Sequence, residues 1–205
     1  MNPFFDFFLE AYQGKETYVI VLEVIVLVTG VLSVWYAKKE NILVFPTGLI
    51  ATIITVYLFF KDGLLGDMMM NFYWSAMSIY GWWNWSRTKN EKKVVLISRT
   101  TTKEKIIGLI LFVGTILINY GVYKVFGSAI DASNYIDIFT SGIFFTAMWY
   151  MALKKIENWT LWIIADIITI PLYAYRGWGM LSFQYLIFTV IAIQAYFAWK
   201  KSLNS

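Results

Sequence analysis

The chain has 205 residues, of which 59% are hydrophobic, 20% aromatic and 15% charged. A soluble domain carries about 25% charged residues, and the apolar residues here come in runs too long for a globular core. With no cysteine and no histidine, the chain excludes disulfides, thiolate or imidazole metal sites, histidine-ligated haem and Ser-His or Cys-His nucleophile pairs.

Residues 1–16, MNPFFDFFLEAYQGKE, lack the basic start, short apolar stretch and cleavage site of a leader, and read as an interfacial lead-in. A hydrocarbon layer of roughly 30 Å needs about 20 apolar residues in a helix. Seven segments meet that need: Thr17–Tyr36, Asn41–Phe60, Leu65–Trp85, Ile106–Phe126, Tyr135–Leu153, Trp159–Tyr175 and Gly179–Trp199. The predicted class is an all-α polytopic membrane protein.

In span one, Glu23 lies near one end, where its side chain can snorkel to the surface, a functional role being the alternative. Span two holds Pro46, and span six holds Pro171; proline frees a backbone carbonyl and bends a helix, which serves as a hinge in transporters or equally as an inert kink. Span three runs MNFYWSAMSIYGWWNWSR over residues 70–87. Its Trp83 and Trp85 fit an interfacial aromatic belt. Asn71, Trp74, Ser78 and Trp82 follow a 3-4-4 spacing and predict a polar–aromatic stripe facing inward.

Residues 86–105, SRTKNEKKVVLISRTTTKEK, read as a solvated linker rather than a nucleic-acid patch, since no groove-reading motif is present. The linker divides the chain into units at 17–85 and 135–199, with a single helix at 106–126 between them and a tail at 200–205. Lys39-Glu40-Asn41 and Ile156-Glu157-Asn158 open spans two and six, while Lys61-Asp62-Gly63 and Tyr175-Arg176-Gly177 close them. Trp85-Ser86-Arg87 and Trp199-Lys200-Lys201 end spans three and seven. The order and spacing agree over two helices with one gap of three residues, which reads as an internal repeat. Span four restores the direction of the second copy, giving the parallel 3+1+3 plan of SWEET-type transporters.

Asp166 stands near the middle of span six, where a carboxyl costs roughly 2.5–3.5 kcal/mol on insertion scales and faces a bundle interior. Trp159, Trp162, Asp166, Thr169 and Tyr173 share its stripe. A carboxylate flanked by rings suits a planar cation. Gln184 and Tyr185 in span seven add an amide and a phenol at similar depth. The alternative for each is helix packing through interhelical hydrogen bonds. Of the 17 Lys and Arg, thirteen fall on the side of the linker and four on the side of the N-terminus. This bias predicts a cytoplasmic C-terminus and an external N-terminus.

The stretches SIYGWWNWSR (78–87) and IENWTLWIIADIITIPLYAYRGWGMLSFQYLIFTVIAIQAYFAW (156–199) resemble the PnuC family of bacterial nicotinamide riboside transporters. The resemblance implies a SWEET-like fold and a homotrimer in the bacterial inner membrane. It implies facilitated diffusion of the vitamin, with cytoplasmic phosphorylation trapping the product, and no cofactor. Asn158, Trp159 and Trp162 match the family's Asn-Trp-x-x-Trp motif. Asn71 stands where some members carry Gln, and Asp166 where some carry Asn, which puts substrate identity at issue; thiamine, another planar cation, is the second expectation. A membrane enzyme fits poorly, because one central carboxyl with no His or Cys gives no acid–base pair. No P-loop points to ATP-driven pumping by this chain.

Overall fold

The computed structural model describes residues 14, 16–61, 65–89, 92–126, 132–176 and 179–204. The lead-in lies almost wholly outside these residues, as do Asp62, Gly63 and Gly177. Seven helices form among the described residues: α1 (Thr17–Lys38), α2 (Val44–Lys61), α3 (Leu65–Ser86), α4 (Thr102–Phe126), α5 (Ala132–Ala152), α6 (Glu157–Tyr175) and α7 (Gly179–Leu203). By length and composition alone, α1, α2, α4 and α7 are apolar enough to cross a bilayer. The other three interleave polar groups with the apolar ones: Asn71, Ser75 and Ser78 in α3, Asp137 and Ser141 in α5, Asp166 and Thr169 in α6.

The helices pack as a ring. α1 lies against α2 and α7, α2 against α3, α3 against α5, α5 against α6, and α6 against α7. α4 stands outside this ring and packs chiefly on α5. Its start is fixed by a reciprocal capping box, Thr101 Oγ1 accepting from Glu104 N at 3.3 Å and Glu104 Oε2 accepting from Thr101 N at 2.7 Å. The linker before it is more ordered than a solvated strap. Thr88–Lys89 and Lys92–Lys93 pair as a short antiparallel hairpin (β1, β2). Ser98 then exchanges backbone hydrogen bonds with Lys154 and Ile156, and Glu157 Oε2 accepts from Thr100 N. Backbone groups at the α5–α6 corner need partners, and the linker supplies them.

The two three-helix units correspond without a gap: residue n of the first matches residue n + 114 of the second. At the α1–α2 corner, Glu40 N donates to Ala37 O and Asn41 N to Tyr36 O; at the α5–α6 corner, Lys154 N donates to Met151 O and Lys155 N to Tyr150 O. Both Glu40 (φ 53°) and Lys154 (φ 60°) are in the left-handed region. This corrects the predicted register: Lys39-Glu40-Asn41 matches Leu153-Lys154-Lys155, not Ile156-Glu157-Asn158, and the three-residue gap disappears. The hydrogen bonds that end a helix fix register more tightly than look-alike tripeptides do.

Pro46 sits in the first turn of α2, where a missing N–H breaks no helical bond. Pro171 lies inside α6, and beside it Ser182 Oγ donates to Ile170 O at 2.9 Å, tying α7 to α6.

Burial concentrates at the end of the bundle that carries the basic loops. There Ala37, Val44, Phe45, Trp85, Ile156, Trp159 and Trp199 form one buried cluster. Phe45 meets Trp85 edge-on at 5.0 Å, Trp159 meets Trp199 edge-on at 5.4 Å, and Trp199 Nε1 donates to Ala37 O at 3.1 Å. Trp85 is therefore a core residue, not the belt residue expected from its place at a helix end. Trp83, 59% exposed, keeps the outward position.

Candidate functional site

Above this plug the six ring helices enclose a cavity of about 670 Å³, within the range of small-molecule sites. No residue of α4 lines it. The polar and aromatic residues that do line it include Asn71, Trp74, Ser78, Trp159, Trp162, Asp166, Tyr173, Gln184 and Tyr185. Three of the predicted site residues do not. Trp82 is 42% exposed on the outside of α3. Its place in the stripe is taken by Gly81 and Trp85, because the buried face continues 3-4-3-4 from Asn71, and a second consecutive four-residue step rotates Trp82 off it. Asn158 is fully buried at the α5–α6 corner, where Nδ2 donates to Lys155 O. Thr169 is buried on α6, one turn from Asp166, behind the cavity wall.

The rings form a box. Phe144 lies 5.4 Å from Trp162, 6.2 Å from Trp74 and 5.9 Å from Tyr185, and Trp74 lies 6.3 Å from Trp162. Tyr173 meets Tyr185 edge-on at 5.3 Å. Across from the rings the lining is small. A Cβ on Gly48 would sit 3.0 Å from Ser33 Oγ, and one on Gly30 would sit 3.6 Å from Gln184 Nε2. Glycine at position 48 lets α2 approach Ser33 of α1 closely, while a Cβ on Gly30 would make only an ordinary contact.

Buried polar atoms are almost always hydrogen-bonded. Here Trp74 Nε1, Trp162 Nε1 and Asp166 Oδ1 are buried with no partner among the described residues. These three atoms belong to residues of the cavity lining, as does Trp159, whose Nε1 is likewise unpartnered; Trp85 Nε1, Asn158 Oδ1 and Thr169 Oγ1 are unpartnered away from it. Among the described residues the acids on the lining are Glu23, Asp137 and Asp166, and the lining includes no lysine or arginine. Asp137 is held by Arg176 at 3.5 Å and by Tyr123 Oη–H at 3.4 Å.

Sequence reasoning missed Phe144, Gly30 and Gly48, whose residue types raise no flag in an apolar span. It set snorkelling of Glu23 to the surface above a functional role for it, and passed over Asp137. Their signal was available: the two acids stand 114 positions apart, so they are equivalent in the repeat. Tyr73 was also missed; it stacks on Phe145 at 3.6 Å and its hydroxyl donates to Phe145 O, joining α3 to α5.

A ring of apolar helices around a polar–aromatic cavity of this size defines a multi-pass membrane carrier for a small molecule. The chain belongs to the nicotinamide mononucleotide transporter family, which it matches over residues 20–201. It is similar to the nicotinamide riboside transporter PnuC of Escherichia coli, with 24% identity over 88% of this chain and 85% of that protein. The protein of the same name from Neisseria mucosa is 25% identical over 85% of this chain and 70% of its own length. A crystal structure of the vitamin B3 transporter PnuC shares the fold, with a TM-score of 0.70 at 24% identity, covering 89% of this chain and 82% of that one. The family and these relatives are transporters, and the chain is a transporter rather than an enzyme.

Proposed function

We propose that the chain carries nicotinamide riboside downhill across a bacterial cytoplasmic membrane, with a cytoplasmic kinase trapping the product. The observation that carries this reading is the set of unpartnered atoms at Trp74, Trp162 and Asp166 inside an aromatic box. Each buried group left unsatisfied costs about 1–3 kcal/mol, so a ligand that engages all three recovers several such terms. In this reading a pyridinium ring lies in the cavity against this cluster of rings, its charge toward Asp166, with its carboxamide and ribose oxygens offered to the indole N–H groups. The relatives' named substrate has this chemistry. A lining with acids and no basic residue favours the cationic riboside over the phosphate-bearing mononucleotide.

The architecture in this reading is seven transmembrane helices in a SWEET-like 3+1+3 arrangement, with α4 as the single linking helix. The correspondence at n + 114 and the position of α4 outside the ring support it. The bias of Lys and Arg toward the plugged end supports an external N-terminus and a cytoplasmic C-terminus. The cavity then faces outward. The resemblance to the family supports a homotrimer.

Calorimetric titration of the purified protein with nicotinamide riboside, its mononucleotide and thiamine tests the reading. Nicotinamide riboside should bind tightest and the mononucleotide weakest. Tighter binding of thiamine would move the assignment to that vitamin, and binding of none would remove it.

A further inference from the structure

Two pairs of equivalent residues touch each other in this bundle. Glu40 and Lys154 stand 114 positions apart, and their Oε2 and Nζ atoms lie 2.9 Å apart. Trp85 and Trp199 are separated by the same offset, and their ring centroids lie 6.0 Å apart. In an arrangement related by two-fold exchange, a residue meets its own equivalent only at the axis. Both pairs therefore mark the axis, and both lie at the basic end, beneath a cavity floor made by Ala37, Val44, Met151, Trp159 and Ala192. On the far side of that floor is a second cavity of about 500 Å³, lined by Lys39, Glu40, Trp85 and Lys154 among others. Glu40, Trp85 and Lys154 line the second cavity and Ala37, Val44 and Met151 the first, so the two pairs stitch the wall between them.

We infer that the Glu40–Lys154 ion pair, backed by the Trp85–Trp199 contact, is the gate at the basic end, closed here and parted when the central cavity opens to that side. Three features of the pair suit a reversible latch. Lys154 is 2% exposed and lies 4.8 Å from the Trp85 ring, and Glu40, its one salt-bridge partner among the described residues, supplies its counter-charge. Glu40 is 31% exposed, so water reaches its carboxylate and can replace Lys154 when the corners separate. Both residues hold left-handed backbone at the end of a helix, where glycine is the undemanding choice; each corner keeps a side chain despite the strain. At the opposite end the equivalent pair is Glu23 and Asp137, both acidic and both on the cavity wall. Opposite charges join the equivalents at one end of the axis, while at the other Asp137 takes its ion pair from Arg176 and not from its equivalent.

The inference rests on the transport reading, but its test uses no substrate. Ala37→Cys places a thiol on the cavity floor of a chain that has no cysteine. Its alkylation by a membrane-impermeant maleimide is followed in inverted vesicles, which expose the cytoplasmic end, and in spheroplasts. Adding Glu40→Lys, which sets two cations together, should raise the rate in inverted vesicles by at least about fivefold and leave spheroplasts unaffected. The exchanged pair Glu40→Lys with Lys154→Glu should bring the rate back to within about twofold of the parent. If Glu40→Lys does not give monodisperse protein, Glu40→Gln takes its place with the same expectation. An unchanged rate in the single variant, or an exchanged pair as fast as the single, would overturn the gate. Failure of substrate binding in the titration above would leave this result standing, so the two readings fail separately.

Discussion

Asp166 faces the cavity from α6 with one carboxylate oxygen unengaged by the described residues, three positions from a buried threonine and four from Trp162. Its replacement tests charge directly. Asp166→Asn should weaken nicotinamide riboside by about 1–3 kcal/mol, as for hydrogen bonds to charged groups, and should weaken the uncharged reduced riboside less. Equal affinity for both ligands with a lowered melting temperature would make Asp166 a packing residue. For the rings, Trp162→Ala should cost binding about 1–3 kcal/mol, the usual scale for stacking a base, whereas Trp83→Ala should leave affinity unchanged because Trp83 is on the outer surface. Matching losses in a titration would argue for an interfacial role for both. Asp166, Trp162 and Trp74 were legible in the sequence because a carboxyl or an indole deep in an apolar helix is anomalous, and helical spacing then tells which others share its face. Phe144 was not legible: a phenylalanine among Ile, Phe and Thr carries no anomaly, and only the packing of α5 on α3 and α6 brings it between the two indoles.

Helix pairs depend on where backbones can approach. At the crossing of α2 and α3, a Cβ on Gly81 would lie 2.3 Å from Phe45 Cε1 and 2.7 Å from its Cζ. Phe45 is itself wedged against Trp85 in the plug, so it has no room to yield. Gly81→Ala should therefore destabilise the bundle by roughly 1–3 kcal/mol, the usual cost of overpacking, seen as a lower melting temperature in detergent. Gly114→Ala in α4 is the contrasting case. An added Cβ there meets nothing within 4 Å, and relief of glycine's entropy should raise stability by about 0.5–1 kcal/mol. The helices themselves were readable from apolar runs, with ends agreeing to within a few residues. Their register in the repeat was not, since that is set by the hydrogen bonds of two corners rather than by residue type. The ordered half of the linker was hidden for the same reason: its partners are backbone groups of the α5–α6 corner, more than fifty residues away.

For the molecule as a whole, the distribution of Lys and Arg is the support for the proposal that the plugged end is cytoplasmic. A cysteine introduced at Leu96, which is 64% exposed in the linker, should react with an impermeant maleimide in inverted vesicles and not in intact spheroplasts. Labelling from outside would reverse the orientation, and with it the direction in which the cavity opens. The correspondence at n + 114 has one more result for how such a carrier works. Each corner at the plug has its equivalent at the plug, and each acid at the mouth has its equivalent at the mouth. With the two units parallel, as proposed, exchanging their conformations therefore returns the same shape, open at the same end. A carrier whose halves run in opposite senses can reach its second state by trading roles between them, but this one cannot. Its second state must come from a change of shape inside each unit, made by both in concert.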